Sequence, residues 1–139
     1  MNYYKTSEIE KRAEYLCNEV KNIMSACCGF ILDAGIEPVI TETVTTHEED
    51  LSVHRVSSTH REGRAFDMRC NNWPDDLKAR FVEYIETLFG DYGAISKTGI
   101  KRIVYCHGEG LHQHMHVQVH KKYYDADRIN EFKKLKEKV

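Results

Sequence analysis

With 139 residues the chain has enough for one domain around one core. A content of 41% hydrophobic and 30% charged residues excludes a membrane-spanning or disordered protein. The formal net charge of −2 excludes nucleic-acid binding through bulk electrostatics, which needs clustered Lys and Arg.

In chain order, the opening Met1-Asn2-Tyr3-Tyr4-Lys5 lacks the apolar segment of a secretory signal, so a monomer in a reducing cytoplasm, without membrane insertion, is expected. Residues from Ser7 to Asp33 read as one long helix. Ile9, Ala13, Leu16, Val20, Ile23, Cys27 and Ile31 recur at spacings of three and four and share one face, which is core. Thr6 or Ser7 caps the start, and Gly35 ends it. The five cysteines, Cys17, Cys27, Cys28, Cys70 and Cys106, are odd in number and lack C-x-x-C spacing, so they read as packing residues rather than a disulfide framework.

Pro38 to Val44 alternates and is rich in β-branched residues, which predicts a strand. Thr46 to Val53 is a short helix or a loop. Ala65 to Arg69 is a second strand, Asn71 to Pro74 a turn, and Pro74 or Asp75 opens a helix through Phe81, Ile85 and Leu88 to Gly90. Arg102 to His107 reads as a strand, Gly108-Glu109-Gly110 as a turn, and His114 to His120 as another strand. On that last strand His114, His116, Gln118 and His120 share one face, and Met115, Val117 and Val119 the other. Asp125 caps a final helix through Ile129 and Phe132, whose tail from Lys133 to Lys138 is a solvated basic end. The expected fold is a single α+β domain over residues 1–139: a small, largely antiparallel sheet, helices packed on one face, and a site on its polar face.

The chemistry concentrates in two segments. His60 and Asp67 stand seven residues apart, with Gly63 permitting a tight turn and Ala65 close packing. His112, His114 and His116 alternate on the later strand. His60, Asp67 and His116 would give zinc two imidazoles and one carboxylate, leaving the fourth position open for water as in catalytic sites. A neighbouring imidazole, His114, would handle the proton inventory. His120 lies about 13 Å from His116 at strand rise and falls outside the site.

Ser58 to Asp67 matches S-x-H-x-x-G-x-A-x-D in full, and Leu111 to Gln118 looks like a later H-x-H-V-Q segment. Together these resemble the D-Ala-D-Ala carboxypeptidase and peptidoglycan endopeptidase superfamily, which includes lysostaphin-type enzymes and the hedgehog domain. The form is most similar to small phage or prophage peptidoglycan peptidases. The resemblance spans roughly Pro38 to Gln118. It implies His60, Asp67 and His116 as zinc ligands, His114 as the residue that activates water or stabilises the oxyanion, and Ser58 as a residue that positions the motif and contacts substrate.

Two positions depart from the family pattern. Where many relatives carry a Glu or Asp three residues before the last ligand, this chain has Gln113, which takes no proton at neutral pH. His114 or Glu109 must then serve as base. Relatives also often carry an Arg before the first motif, but Thr43-Val44-Thr45-Thr46-His47 has none. His47, Arg55 and Arg64 are the candidate replacements, with Arg64 assigned beside Ser58 to substrate binding. The expected function is zinc-dependent hydrolysis of a peptide bond in peptidoglycan stem peptides, as in an endolysin. The alternative is a weak or inactive zinc-binding domain that binds wall peptide or forms part of a phage particle.

Overall fold

The computed structural model describes residues 3–95 and 97–137. Met1, Asn2 and Lys138, which bear on the signal and basic-tail readings, lie outside the described residues. The helices are α1 (Ser7–Ala13), α2 (Asn18–Asp33), α3 (His47–Ser52), α4 (Asp75–Phe89) and α5 (Ala126–Glu137). The strands are β1 (Ile40–Glu42), β2 (Ala65–Arg69), β3 (Ala94–Ile95), β4 (Lys101–Arg102), β5 (Val104–His107) and β6 (His114–Gln118). One sheet has the order β1-β2-β6-β5 with every pairing antiparallel, and β3 and β4 form a separate ribbon. The α+β class and the small antiparallel sheet therefore agree with the sequence expectation.

Period-two alternation divides the sheet into two faces. Phe66 and Met68 on β2, Met115 and Val117 on β6, and Val104 on β5 are fully buried. They pack with the stripe of α2 (Val20, Ile23, Cys27, Ile31) and of α4 (Leu77, Phe81, Ile85) into one core. The opposite face carries Glu42, Asp67, His116 and Tyr105 in one cross-strand row, and Arg69, His114 and His107 in the next.

The single helix expected from Ser7 to Asp33 is two. Thr6 caps α1 by accepting a hydrogen bond from the Ile9 amide, and the chain leaves the helix after Ala13. The break is held from outside: the Cys17 amide donates to the Gly63 carbonyl at 2.9 Å, and Arg128 donates to the Leu16 carbonyl at 2.6 Å. Tertiary partners outweigh a helical stripe that runs unbroken through Leu16. Leu88, expected on the α4 stripe, is exposed, because the buried set steps by four from Leu77 to Ile85.

Three strand boundaries also moved, each because a side chain or loop took over ladder hydrogen bonds. The expected strand from Pro38 to Val44 is paired only over β1, where a bulge sets Ile40 opposite Met68 and Glu42 opposite Asp67. Beyond it the Val44 carbonyl accepts from Arg12. The strand from Arg102 to His107 divides at Ile103, because the Glu86 carboxylate accepts from the Ile103 and Val104 amides. The last strand ends at Gln118: the Val119 amide still meets the Arg64 carbonyl in register, and the His120 amide then turns to the Tyr92 carbonyl. Cys17, Cys27, Cys28 and Cys70 are buried, but Cys106 is exposed rather than packed.

Candidate metal centre

Asp67 and His116 are direct cross-strand partners on β2 and β6, so the sheet itself sets their separation. His60 arrives from the loop before β2. That loop is closed by backbone bonds from Glu62 to Ser58, Gly63 to His60 and Arg64 to Thr59. Gly63 sits at φ +68 against the Tyr15 carbonyl, a conformation and a proximity that favour glycine.

The ring nitrogens sort themselves by their partners. His60 Nδ1 lies 2.8 Å from the Thr43 carbonyl, which accepts only from an N–H, so Nε2 faces Asp67 Oδ1 at 3.2 Å. His116 Nε2 lies 2.8 Å from Gln118 Oε1, which leaves Nδ1 facing the same Asp67 oxygen at 2.9 Å. Two neutral imidazoles thus direct lone pairs at a carboxylate oxygen. Such an arrangement is stable only with protons on the rings or a cation at the common point.

The three ligand atoms lie within 4.8 Å of one another, all on buried residues, and this group could hold a metal ion. Tetrahedral bonds of about 2.0–2.1 Å set ligand atoms about 3.3 Å apart, close to the two observed contacts with Asp67. No further His, Cys, Asp or Glu atom among the described residues joins the group at that reach. The polar second partners, Thr43 and Gln118, are of the kind that orient metal-bound imidazoles.

Without metal the group is held together by attraction between the Asp67 carboxylate and its imidazole neighbours. Burial pushes His60 down, but the Asp67 charge and the bonds to Asp67 and Thr43 outweigh it and hold its pKa above the ordinary value. Burial also works against the Asp67 charge, yet His60 and His116 hold that carboxyl well below the usual range. Glu42 is raised, first by burial. His107 is lowered, first by burial and then by the charges of His116 and His114.

The group opens into a cleft of about 910 Å³. Its walls are the loop from Val53 to Ser57 on one side and Tyr105, His107 and His114 on the other. His114 Nδ1 donates to the His112 carbonyl at 2.9 Å, and its Nε2 points inward, 3.7 Å from Asp67 Oδ2. Arg55 lines the opposite wall. It is held by the buried Asp50 at 2.8 Å, which also takes Thr45 and Arg61.

Several residues singled out from sequence stand elsewhere. Arg64 is buried and ties its loop to the end of β6 through Glu62 and the Val119 carbonyl; it does not line the cleft. Ser58 contributes its carbonyl to the His60 turn, and its neighbour Ser57 lines the cleft instead. Glu109 is exposed before a short 3-10 turn and is absent from the cleft wall. His47 opens α3 and lines a different cleft. His120 caps another short turn through the Lys122 amide. Conversely, His107 and Tyr105 belong to the site although sequence reasoning passed over them. Their alternation along β5 was visible, but only the pairing of His107 with His114 puts them on this face.

Compared with protein-family models, curated proteins and solved structures, the chain matches none.

Proposed function

We propose that this chain is a zinc-dependent peptidase that hydrolyses a peptide bond in bacterial cell-wall stem peptides. The observation that carries the reading is the convergence of His60 Nε2, Asp67 Oδ1 and His116 Nδ1 on one point, beside an open cleft and with no fourth protein ligand at that reach among the described residues. The S-x-H-x-x-G-x-A-x-D match supports the choice of cell-wall peptide as substrate class. Zinc held by these residues would supply a Lewis acid and bring the pKa of water at the open position down to near neutral.

The remaining work falls to side chains already in place. His114 has its Nδ1 proton committed to His112, so its inward Nε2 accepts a proton from the attacking water and returns it to the leaving amine. Arg55, anchored by Asp50, supplies positive charge where negative charge develops on the carbonyl oxygen. The loop from Val53 to Ser57 offers Val53 and Val56 as exposed apolar contacts for small side chains of the substrate.

Muropeptide cleavage followed by mass analysis, alongside metal content, tests this. His60→Ala, Asp67→Ala and His116→Ala are expected to lose metal and turnover together. His114→Ala is expected to keep metal and lose about 10²–10⁴ in rate. Undiminished cleavage by His60→Ala would end the reading. One observation favours a second reading, a zinc-bound domain that binds wall peptide without cleaving it: Asp67 is the only carboxylate among the described residues of the cleft wall. Zinc-loaded protein that retains muropeptide intact would decide for it.

A further inference from the structure

The loop wall of the cleft holds a residue in a conformation its type does not favour. α3 ends in a Schellman cap: the His54 amide donates to the Leu51 carbonyl at 3.1 Å, and the Arg55 amide to the Asp50 carbonyl at 2.8 Å. The cap needs a left-handed residue at position 54, and His54 has φ 57. Glycine enters that region freely and is the usual residue there, whereas a side chain with a Cβ is less stable in it. Among the described residues His54 is the one non-glycine with positive φ.

The fold does not use the imidazole. The cap turns the Arg55 side chain back onto Asp50, 2.8 Å away, and leaves the His54 ring exposed on the cleft wall. The ring has no hydrogen bond or ion pair among the described residues. An unfavourable backbone conformation at a cleft, carrying a side chain that the cap does not need, points to a role in binding. The cleft also says what is bound. Asp67 is the single carboxylate among the described residues of its wall, and Asp67 Oδ1 is turned to His60 and His116. A wall rich in N–H donors and poor in free acceptors suits a carboxylate.

We propose that His54 is a substrate-binding residue whose ring N–H donates to a free carboxylate of the bound peptide, beside the scissile bond. This rests on the peptidase reading and narrows the substrate to acidic peptides.

The test uses full-length, zinc-loaded protein carrying His114→Ala, which keeps the peptide intact, and reads muropeptide binding by calorimetry. Adding His54→Gly, which fits the cap and removes the ring, is expected to weaken binding about ten-fold or more. Zinc content stays the same and the melting temperature does not fall. His54→Asn and His54→Asp both suit a left-handed cap. His54→Asn keeps an N–H donor and is expected to bind within about three-fold of its parent. His54→Asp supplies acceptors only and is expected to bind more weakly than His54→Gly. Amidating the peptide carboxylate nearest the scissile bond is expected to weaken binding to the parent and to leave binding to His54→Gly unchanged. Equal affinity of parent and His54→Gly overturns the proposal. So does His54→Asp binding as tightly as His54→Asn, which would make the residue a stiffener of the loop. An amidation effect that is the same with and without the ring places the carboxylate elsewhere and overturns it too, as does a His54→Gly protein that melts well below its parent. No muropeptide binding at all overturns both readings. Failure to cleave by protein with His114 in place counts against the peptidase reading alone, because affinity is read without turnover.

Discussion

The acceptor behind His116 gives a graded test of the candidate metal centre. A neutral imidazole has two tautomers, and only the one protonated at Nε2 leaves Nδ1 free for a metal. Gln118 Oε1, 2.8 Å from Nε2, selects that tautomer. Outer partners of this kind are worth about 10–100-fold in metal affinity, which is about 1.4–2.7 kcal/mol. Gln118 is half-buried at the cleft edge and opposite the small Ala65, so changing it leaves the core untouched. In Gln118→Ala, water enters and replaces the acceptor, which places the loss near about 10-fold. In Gln118→Leu the acceptor is gone and water is excluded, so the loss is nearer about 100-fold. Gln118→Glu supplies a charged acceptor and should bind more tightly than wild type. Competition against a chromophoric chelator at fixed pH reads the series. The expected order of affinity is Glu, Gln, Ala, Leu. If Gln118→Leu, still folded by circular dichroism, holds zinc within two-fold of wild type, the tautomer assignment is wrong.

Three further predictions concern stability. In metal-free protein, the depressed Asp67 carboxyl contributes stability above its unfolded pKa of about 3.9, lost as pH falls through its folded value. The raised His60 imidazole contributes below its unfolded pKa of about 6.5, and that is lost as pH rises through its folded value. The melting temperature in chelator should therefore decline on going from mildly acid to alkaline pH. Zinc-loaded protein should gain over the same interval, because ligand imidazoles must be deprotonated; parallel profiles would contradict both assignments. Gly63→Ala would set a Cβ 2.8 Å from the Tyr15 carbonyl and 3.0 Å from Ile129 at positive φ, at a cost of about 2–4 kcal/mol in denaturant unfolding. A loss under about 0.5 kcal/mol would show that the loop relaxes freely. Asp50→Ala should cost about 1–3 kcal/mol, less than the ~3–5 for a fully buried pair, because Arg55 and Arg61 are both reached by water. No change in unfolding midpoint would remove Asp50 as the anchor of the cleft wall.

The parts of this molecule legible in its sequence are those where local pattern and tertiary demand agree. The α2 and α4 stripes, the Thr6 and Asp125 caps, and the two faces of β6 follow from periodicity and capping chemistry. The grouping of His60, Asp67 and His116 was legible because H-x6-D and H-x-H are short-range spacings, and β2 and β6 each present one side chain per pleat. What stayed hidden required register or long-range hydrogen bonds. Nothing local announces that Glu86 interrupts the strand at Ile103, or that Arg128 and Gly63 hold the break between α1 and α2. Arg64 stood beside His47 and Arg55 as a candidate replacement for the missing Arg; its buried bond to the Val119 carbonyl spans 55 positions. Arg55 and Arg64 could be told apart only by the path of a loop containing His54 at φ 57.

The three residues of the candidate centre are therefore not supported alike, and this predicts where it fails first. Asp67 and His116 are adjacent in a four-stranded sheet whose other face is the core, so moving them apart means opening that core. His60 depends on a loop, and the Thr43 carbonyl that fixes its ring lies just beyond the β1 bulge. Thr43 is itself tethered to α1 through its hydroxyl on the Ile9 carbonyl. Changes that loosen this edge, such as Thr43→Val, remove a hydrogen bond of about 0.5–1.5 kcal/mol without touching the sheet. Metal affinity should then fall while the unfolding midpoint of the metal-free protein shifts little more than that bond allows. An affinity loss that always tracked the global midpoint would instead mean that loop and sheet form one cooperative unit, with His60 held as firmly as its partners.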